Sequence, residues 1–160
     1  MKTSEIIQNF FRALEQKDFT VAEGYLAYDF ILSGPTSSPL GKRDYMNFVQ
    51  ALLSGFPDWS FNTRDIRATG DQAAFVRQIS GTNTRDIPPL FSGMPPTKAT
   101  GKRVQLPEES GTVTLRGDKI VEIQVEKIPG GGVEGLLEQL GVQLPVGLET
   151  PIVTPVTPHR

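Results

Sequence analysis

The run from Thr112 to Ile123 leaves the chain few choices. Two stretches rich in β-branched residues, Thr112-Val113-Thr114-Leu115 and Ile120-Val121-Glu122-Ile123, flank the polar turn Arg116-Gly117-Asp118-Lys119. Such a pattern specifies an antiparallel hairpin. Downstream, Gly130-Gly131-Gly132 ends the strand and frees the chain to fold back. Val133, Leu136, Leu137 and Leu140 then recur at i, i+3, i+4 and i+7, one apolar face of a short helix. Gly141 follows where a left-handed C-cap belongs. A hairpin closed by a helix is scaffolding until a site is found on it.

The residues before the hairpin divide in two. Up to Gly55 the periodicity is helical. Ile6, Ile7, Phe10, Phe11 and Leu14 stripe a first helix over Ser4–Gln16, and Thr20-Val21-Ala22-Glu23 spells a capping box for a second through Leu26. Tyr28 to Ser33 reads as a short strand. Tyr45, Phe48, Val49 and Leu52 mark a third helix over Lys42–Ser54, stopped by Gly55 and Pro57. After Asp58 the pattern is strand: Trp59–Thr69, a Gly70-Asp71 turn, Ala73–Thr84, a proline-rich loop over Arg85–Thr97, Arg103–Leu106 (with a possible continuation to Leu115) and Lys119–Ile128. Helices followed by an antiparallel meander indicate an α+β domain over residues 1–144. The tail from Pro145 to Arg160 has four prolines and no helical period, so it reads as extended or disordered.

Composition removes several function classes. At 160 residues, 38% hydrophobic and 21% charged, the chain suits one globular domain. A net charge of -2 and a pI near 5.4 disfavour nucleic acid or an anionic membrane as partner. The absence of cysteine excludes disulfides and thiolate chemistry and suits the cytoplasm. MKTSEIIQNFFRALEQ carries no signal-peptide pattern, and no segment approaches the roughly 18 apolar residues of a membrane span. The single histidine, His159, lies next to the C-terminus, which makes histidine catalysis inside a folded site improbable.

Several segments, in order, carry a family resemblance. Phe56-Pro57-Asp58 resembles the helix-to-strand junction of SnoaL-like polyketide cyclases, and Gly81-Thr82-Asn83-Thr84 resembles their "G-T-H-T". Phe91-Ser92-Gly93-Met94-Pro95-Pro96-Thr97 with Thr100-Gly101-Lys102-Arg103-Val104 is similar to their proline-rich loop. Gly117-Asp118-Lys119-Ile120-Val121-Glu122 resembles their "D-G-K-I-V-E", and Leu136 to Gly141 their terminal "L-x-Q-L-G". The resemblance implies the cone-shaped fold of the nuclear transport factor two-like (cystatin-like) superfamily, a curved antiparallel sheet wrapped around N-terminal helices. It further implies a homodimer and a hydrophobic pocket. In the cyclases that pocket closes a ring without any cofactor, using an Asp aided by a His. Here the Asp position falls on Val125, and the His position falls near Gly111.

Replacement bases come from the carboxylates. Proton abstraction needs a base within hydrogen-bond reach of an acidic carbon, in an apolar pocket. Glu108 and Glu109 are adjacent, so on a strand they point to opposite faces and at most one enters a cavity; the competing reading is two solvated carboxylates at a bend. Asp86 lies where a strand meets the long loop, as a candidate base or as half of a surface pair with Arg85. Glu122, Gln124 and Glu126 alternate with Val121, Ile123 and Val125, which places the acids outside if the apolar face lines the cone. Candidate ligand contacts are Tyr25, Tyr45, Trp59, Arg77 and Asn83, with Phe91 and Met94 on a loop that could act as an apolar lid or as a dimer contact. No metal site is expected. The expected partner is a hydrophobic small molecule, bound for cofactor-free cyclisation or isomerisation or simply held by a non-catalytic module.

Overall fold

A computed structural model describes residues 2–142, and the sequence reading of the proline-rich tail lies outside the described residues. Three helices come early. Helix α1 (Thr3–Glu15) buries Ile6, Ile7, Phe10, Phe11, Ala13 and Leu14 along one stripe, and Glu5 in its first turn accepts a hydrogen bond from the Lys2 amide at 3.1 Å. Helix α2 (Phe19–Gly24) is capped by Asp18, whose Oδ1 accepts from the Val21 amide at 3.3 Å. The expected Thr20 box therefore gives way to a cap two residues earlier, because Asp is as good an N-cap as Thr and stands first. Helix α3 (Lys42–Ser54) buries Tyr45, Met46, Phe48, Val49, Leu52 and Leu53.

The strands are β1 (Leu26–Ser33), β2 (Leu40–Gly41), β3 (Arg64–Thr69), β4 (Gln72–Arg77), β5 (Ser80–Thr82), β6 (Arg103–Gln105), β7 (Glu109–Arg116) and β8 (Lys119–Val125). Six of them form one sheet in the order β2-β1-β8-β7-β4-β3, and β5 pairs with β6 in a separate ribbon. The meander β3-β4-β7-β8 is antiparallel as expected, but β1 joins β8 in parallel. The chain can do this because α3 and the later strands intervene between them. Gly117, at φ 64°, turns the β7–β8 hairpin. Helix α4 (Gly132–Leu140) closes the open end of the curved sheet and stops at Gly141, in the left-handed region at φ 78°.

Two expected strands are broken, for a common reason. Residues 59–63 leave regular pairing because Asn62 adopts φ 46°, a left-handed conformation that Asn tolerates better than most residues. Its side-chain amide then donates to the Gln78 carbonyl at 2.8 Å, and the Phe61 amide reaches across to Glu15 Oε2 at 2.7 Å. Opposite this bend, the second strand divides at Gln78-Ile79 into β4 and β5. The bend turns Trp59 and Phe61 into the cone.

Inward-facing residues of the sheet stack in layers, since neighbours in register share a face. One layer is Phe75, Gly111 and Val125, paired in register across β4, β7 and β8. Phe75 and Val125 are buried, whereas Gln124 and Glu126 face outward as the alternation required. A Cβ on Gly111 would stand 2.5 Å from the Phe75 ring and 2.7 Å from the Gln124 carbonyl. Replacing Gly111 by Ala is therefore expected to destabilise the fold by about 1–3 kcal/mol, measured by urea unfolding; an unchanged midpoint would mean that the Phe75 ring is not wedged over this strand.

Candidate functional site

The next inward layer toward the open end of the sheet carries charge. Arg77 ends β4 and Glu109 begins β7, directly opposite in register. Both side chains turn inward, with only 6% and 2% of their surfaces exposed. Arg77 Nε donates to Glu109 Oε1 at 3.0 Å, and the other carboxylate oxygen accepts from the Gly132 amide at the start of α4, also at 3.0 Å. The guanidinium lies over the Phe61 ring, 5.6 Å from its centroid. Isolating either charge here would cost several kcal/mol, so each is stable only with the other in place.

Two hollows meet at this pair. Inside the cone is a cavity of about 50 Å³, walled mainly by apolar side chains from α1, α3 and α4. Its polar lining comes from Arg77, Tyr45 and Trp59. Outside the pair is a cleft of about 280 Å³ lined by Glu109, Pro35, Phe91, Ile128 and the first turn of α4. Pro35, Gly132 and Val133 line both hollows, and the Val133 amide donates to the Pro35 carbonyl at 3.0 Å. That bond is the seam between them. A larger, shallow depression of about 730 Å³ lies on the outer face of the sheet around Ala74, Thr112 and Gln124. It is open to solvent and walled off from the ion pair by the sheet.

Five of the residues singled out from sequence converge on this region: Glu109, Arg77, Tyr45, Trp59 and Phe91. Burial pushes the Tyr45 hydroxyl well above its ordinary titration range, despite the opposing pull of the Arg77 charge. Trp59 is 5% exposed, packs edge-on against Phe56 and Phe61, and its indole Nε1 meets no acceptor among the described residues. The remaining candidates lie elsewhere. Glu108 projects outward and pairs with Arg64 on the surface. Asp86 is exposed and accepts from the Ala99 amide at 2.8 Å, which fixes the long loop. Tyr25 caps α2 and is only partly buried against the core.

Asn83 is fully buried, but its side chain is used up within the protein. Its Nδ2 donates to the carbonyls of Gly55 (3.2 Å) and Arg85 (2.8 Å), and its Oδ1 accepts from the amide and the hydroxyl of Thr100, both at 2.9 Å. Phe91 and Met94 are buried too, along with Ile87 and Leu90. Phe91 lines the outer cleft and lies 6.0 Å from the Phe48 ring, whereas Met94 lies away from both hollows. Their loop is tied across its base by reciprocal 2.8 Å hydrogen bonds between Ile87 and Thr97. The loop is packed against the core through Ile87, Leu90, Phe91 and Met94.

The motif residues near Asp58 turn out to be a clamp. Asp58 accepts from the Thr82 amide at 2.7 Å and the Thr82 hydroxyl at 2.8 Å, and the amide bond in particular holds its carboxyl below the usual range. Gly81 leaves room for Phe56, whose ring would be 3.1 Å from an added Cβ. Sequence reasoning passed over the seam residues Pro35, Gly132 and Val133, which carry no chemical signature. The inward direction of Glu109 had a signal, because Val113 and Leu115 share its parity on β7.

Comparisons with known proteins agree with this architecture. The SnoaL-like domain family matches residues 7–123. Among solved structures, AclR of Streptomyces galilaeus, a proposed hydroxylase, superposes with a TM-score of 0.67 at 17% identity, covering 87% of this chain and 95% of its own. IdmH of Streptomyces antibioticus, a proposed polyketide cyclase, gives 0.65 at 23%, covering 89% and 100%. A nuclear transport factor two-like protein of unknown function from Cytophaga hutchinsonii gives 0.57 at 18%, covering 81% and 92%. Identities this low speak for the fold alone, and no curated protein matches the chain. With a curved sheet around N-terminal helices, a short closing helix and a family match over most of its length, the chain belongs to the SnoaL-like domain family.

Proposed function

We propose that this protein binds a hydrophobic small molecule bearing a polar group, across the seam between the cone cavity and the outer cleft. The observation that carries the reading is the Arg77–Glu109 pair, a buried carboxylate and guanidinium where an apolar cavity meets a cleft. Burying two charges is a poor way to gain stability, since apolar residues of similar volume commonly do as well or better. Perturbed or costly ionisable groups next to a hollow are characteristic of sites. The inner cavity alone is too small for a typical ligand of several hundred Å³, so the bulk of the ligand lies in the cleft.

The chemistry that fits is cofactor-free proton transfer, as in cyclisation or isomerisation. Glu109 would take a proton from a carbon beside a carbonyl, and Arg77 would stabilise the negative charge left on the oxygen. Neither Glu108 nor Asp86 can share that task from the surface. A second reading, binding without turnover, is favoured by one fact: both oxygens of Glu109 already accept hydrogen bonds, so a base needs one of them released. The outer sheet face around Ala74, Val76 and Thr112 is the surface we assign to a homodimer, and the cytoplasm is the compartment that suits a chain without cysteine. Light scattering at micromolar concentration is expected to give twice the chain mass; a monomer would remove the dimer.

Removing one partner of the ion pair tests its isolation from water. Arg77→Met alone is expected to cost about 3–5 kcal/mol in urea unfolding, while Arg77→Met with Glu109→Leu recovers most of that loss. Equal losses in the two variants would mean that the pair is hydrated. For the chemistry, exchange of the α-protons of 1-indanone in deuterated buffer can be followed by proton NMR. The native protein is expected to accelerate exchange, and Glu109→Gln to remove about 10²–10⁴-fold of it while ligand still binds. Binding with no acceleration by the native protein would instead leave the non-catalytic reading standing.

A further inference from the structure

The three polar side chains lining the inner cavity, Trp59, Arg77 and Tyr45, each present a donor, and two of them, the indole and the guanidinium, cannot accept. The Trp59 indole N–H is buried, lines the cavity and meets no acceptor among the described residues. Arg77 spends its Nε on Glu109, and its side chain also lines the cavity. Tyr45 approaches from α3, on the opposite wall, and its hydroxyl stays protonated across any physiological pH because burial raises its titration. Glu109, the acceptor nearby, lines the cleft side of the pair and not the cavity side. A buried N–H without an acceptor has lost its hydrogen bond to water, and an incoming oxygen would replace it.

From this arrangement we infer that the inner cavity is an oxygen anchor, in which Trp59, Arg77 and Tyr45 together hold an acceptor-only oxygen group of the ligand. The inference rests on the small-molecule reading of the cone and adds which end of the molecule goes in and what that end must be. A ligand group that offers only N–H donors is disfavoured beside the Trp59 indole and the Arg77 guanidinium, which cannot accept, because a buried donor facing donors loses its hydrogen bonds to water without replacement. A carbonyl, an enolate or a carboxylate satisfies all three. Size agrees: about 50 Å³ admits roughly three to five water-sized groups at ~10–15 Å³ each. That is enough for the oxygen-bearing end of a molecule and too little for its body. The body passes the Pro35–Val133 seam and lies in the cleft. An oxygen at Arg77 also leaves the adjoining carbon beside Glu109, at the point where the proposed proton transfer needs it.

Trp59 is the only tryptophan in the chain, so its indole gives one reporter signal in a nitrogen–proton NMR spectrum. Three probes of matched shape separate the outcomes: indane, 1-indanone and indane-1-carboxylate. We expect the indole N–H signal to lie upfield in the protein alone, as for an N–H without an acceptor. It should move downfield with 1-indanone or indane-1-carboxylate and not with indane, and a response confined to one of them identifies a neutral or an anionic oxygen. Tyr45→Phe, which keeps the ring, and Trp59→Phe, which removes the indole N–H and leaves a smaller ring, should each weaken the oxygenated probe by about tenfold, by calorimetry, and Tyr45→Phe should leave indane unchanged. If all three probes bind equally in the cone and the indole signal stays put, the anchor is wrong while small-molecule binding survives. If no probe shifts any interior methyl signal, both fall. An indole signal already downfield in the protein alone also overturns the anchor, since its N–H is then satisfied without ligand.

Discussion

The rest of the site depends on the salt bridge between Arg77 and Glu109. It sits at the end of two neighbouring strands, so backbone pairing of β4 with β7 sets its geometry before any side chain chooses a rotamer. Because both partners are buried, neither can be exposed or replaced singly without leaving a charge in an apolar surrounding. The carboxylate also ties the first amide of α4, so the closing helix is docked onto the sheet through the same group. One interaction thus connects sheet register, the seating of the helix that closes the cone, and the seam between cavity and cleft.

Family membership in this chain is carried by residues that serve the fold. The short motifs that mark the family are occupied with structure: Asp58 clasps Thr82, Asn83 ties the end of α3 to the long loop, and Gly81 makes room for Phe56. These contacts shape the cone and say nothing of what is done inside it. The layer where the resemblance implies an acid-base pair holds Gly111 and Val125, with the Phe75 ring covering the glycine. The buried charges Arg77 and Glu109 stand one inward layer further toward the open end. A cone offers several layers that face its interior, and an ionisable residue can stand in any of them.

Much of the scaffold was legible because it rests on periodicity. The stripes of α1 and α3, which burial reinforces, and the exposed Arg116–Lys119 turn and Gly141 cap are local patterns. The parallel pairing of β1 with β8 was not legible, since it joins residues about ninety positions apart and leaves no mark on either strand. Nor was the break at Asn62, where a left-handed residue and its amide bond override a good strand pattern. Within the site, Glu109 could have been turned inward by extending the parity of Val113 and Leu115. The adjacent Pro107 and Glu108 instead suggested a solvated bend. Arg77 as its partner required the register of two strands, which no local pattern supplies.

A crystal structure of the protein soaked with 1-indanone tests the central claim most directly, because position decides between the seam and every other surface. Continuous ligand density is expected from the outer cleft, between Pro35 and Val133, with its oxygen within hydrogen-bond distance of Arg77 and Trp59. Density confined to the outer sheet face, with the seam closed and the Arg77–Glu109 pair undisturbed, would contradict it.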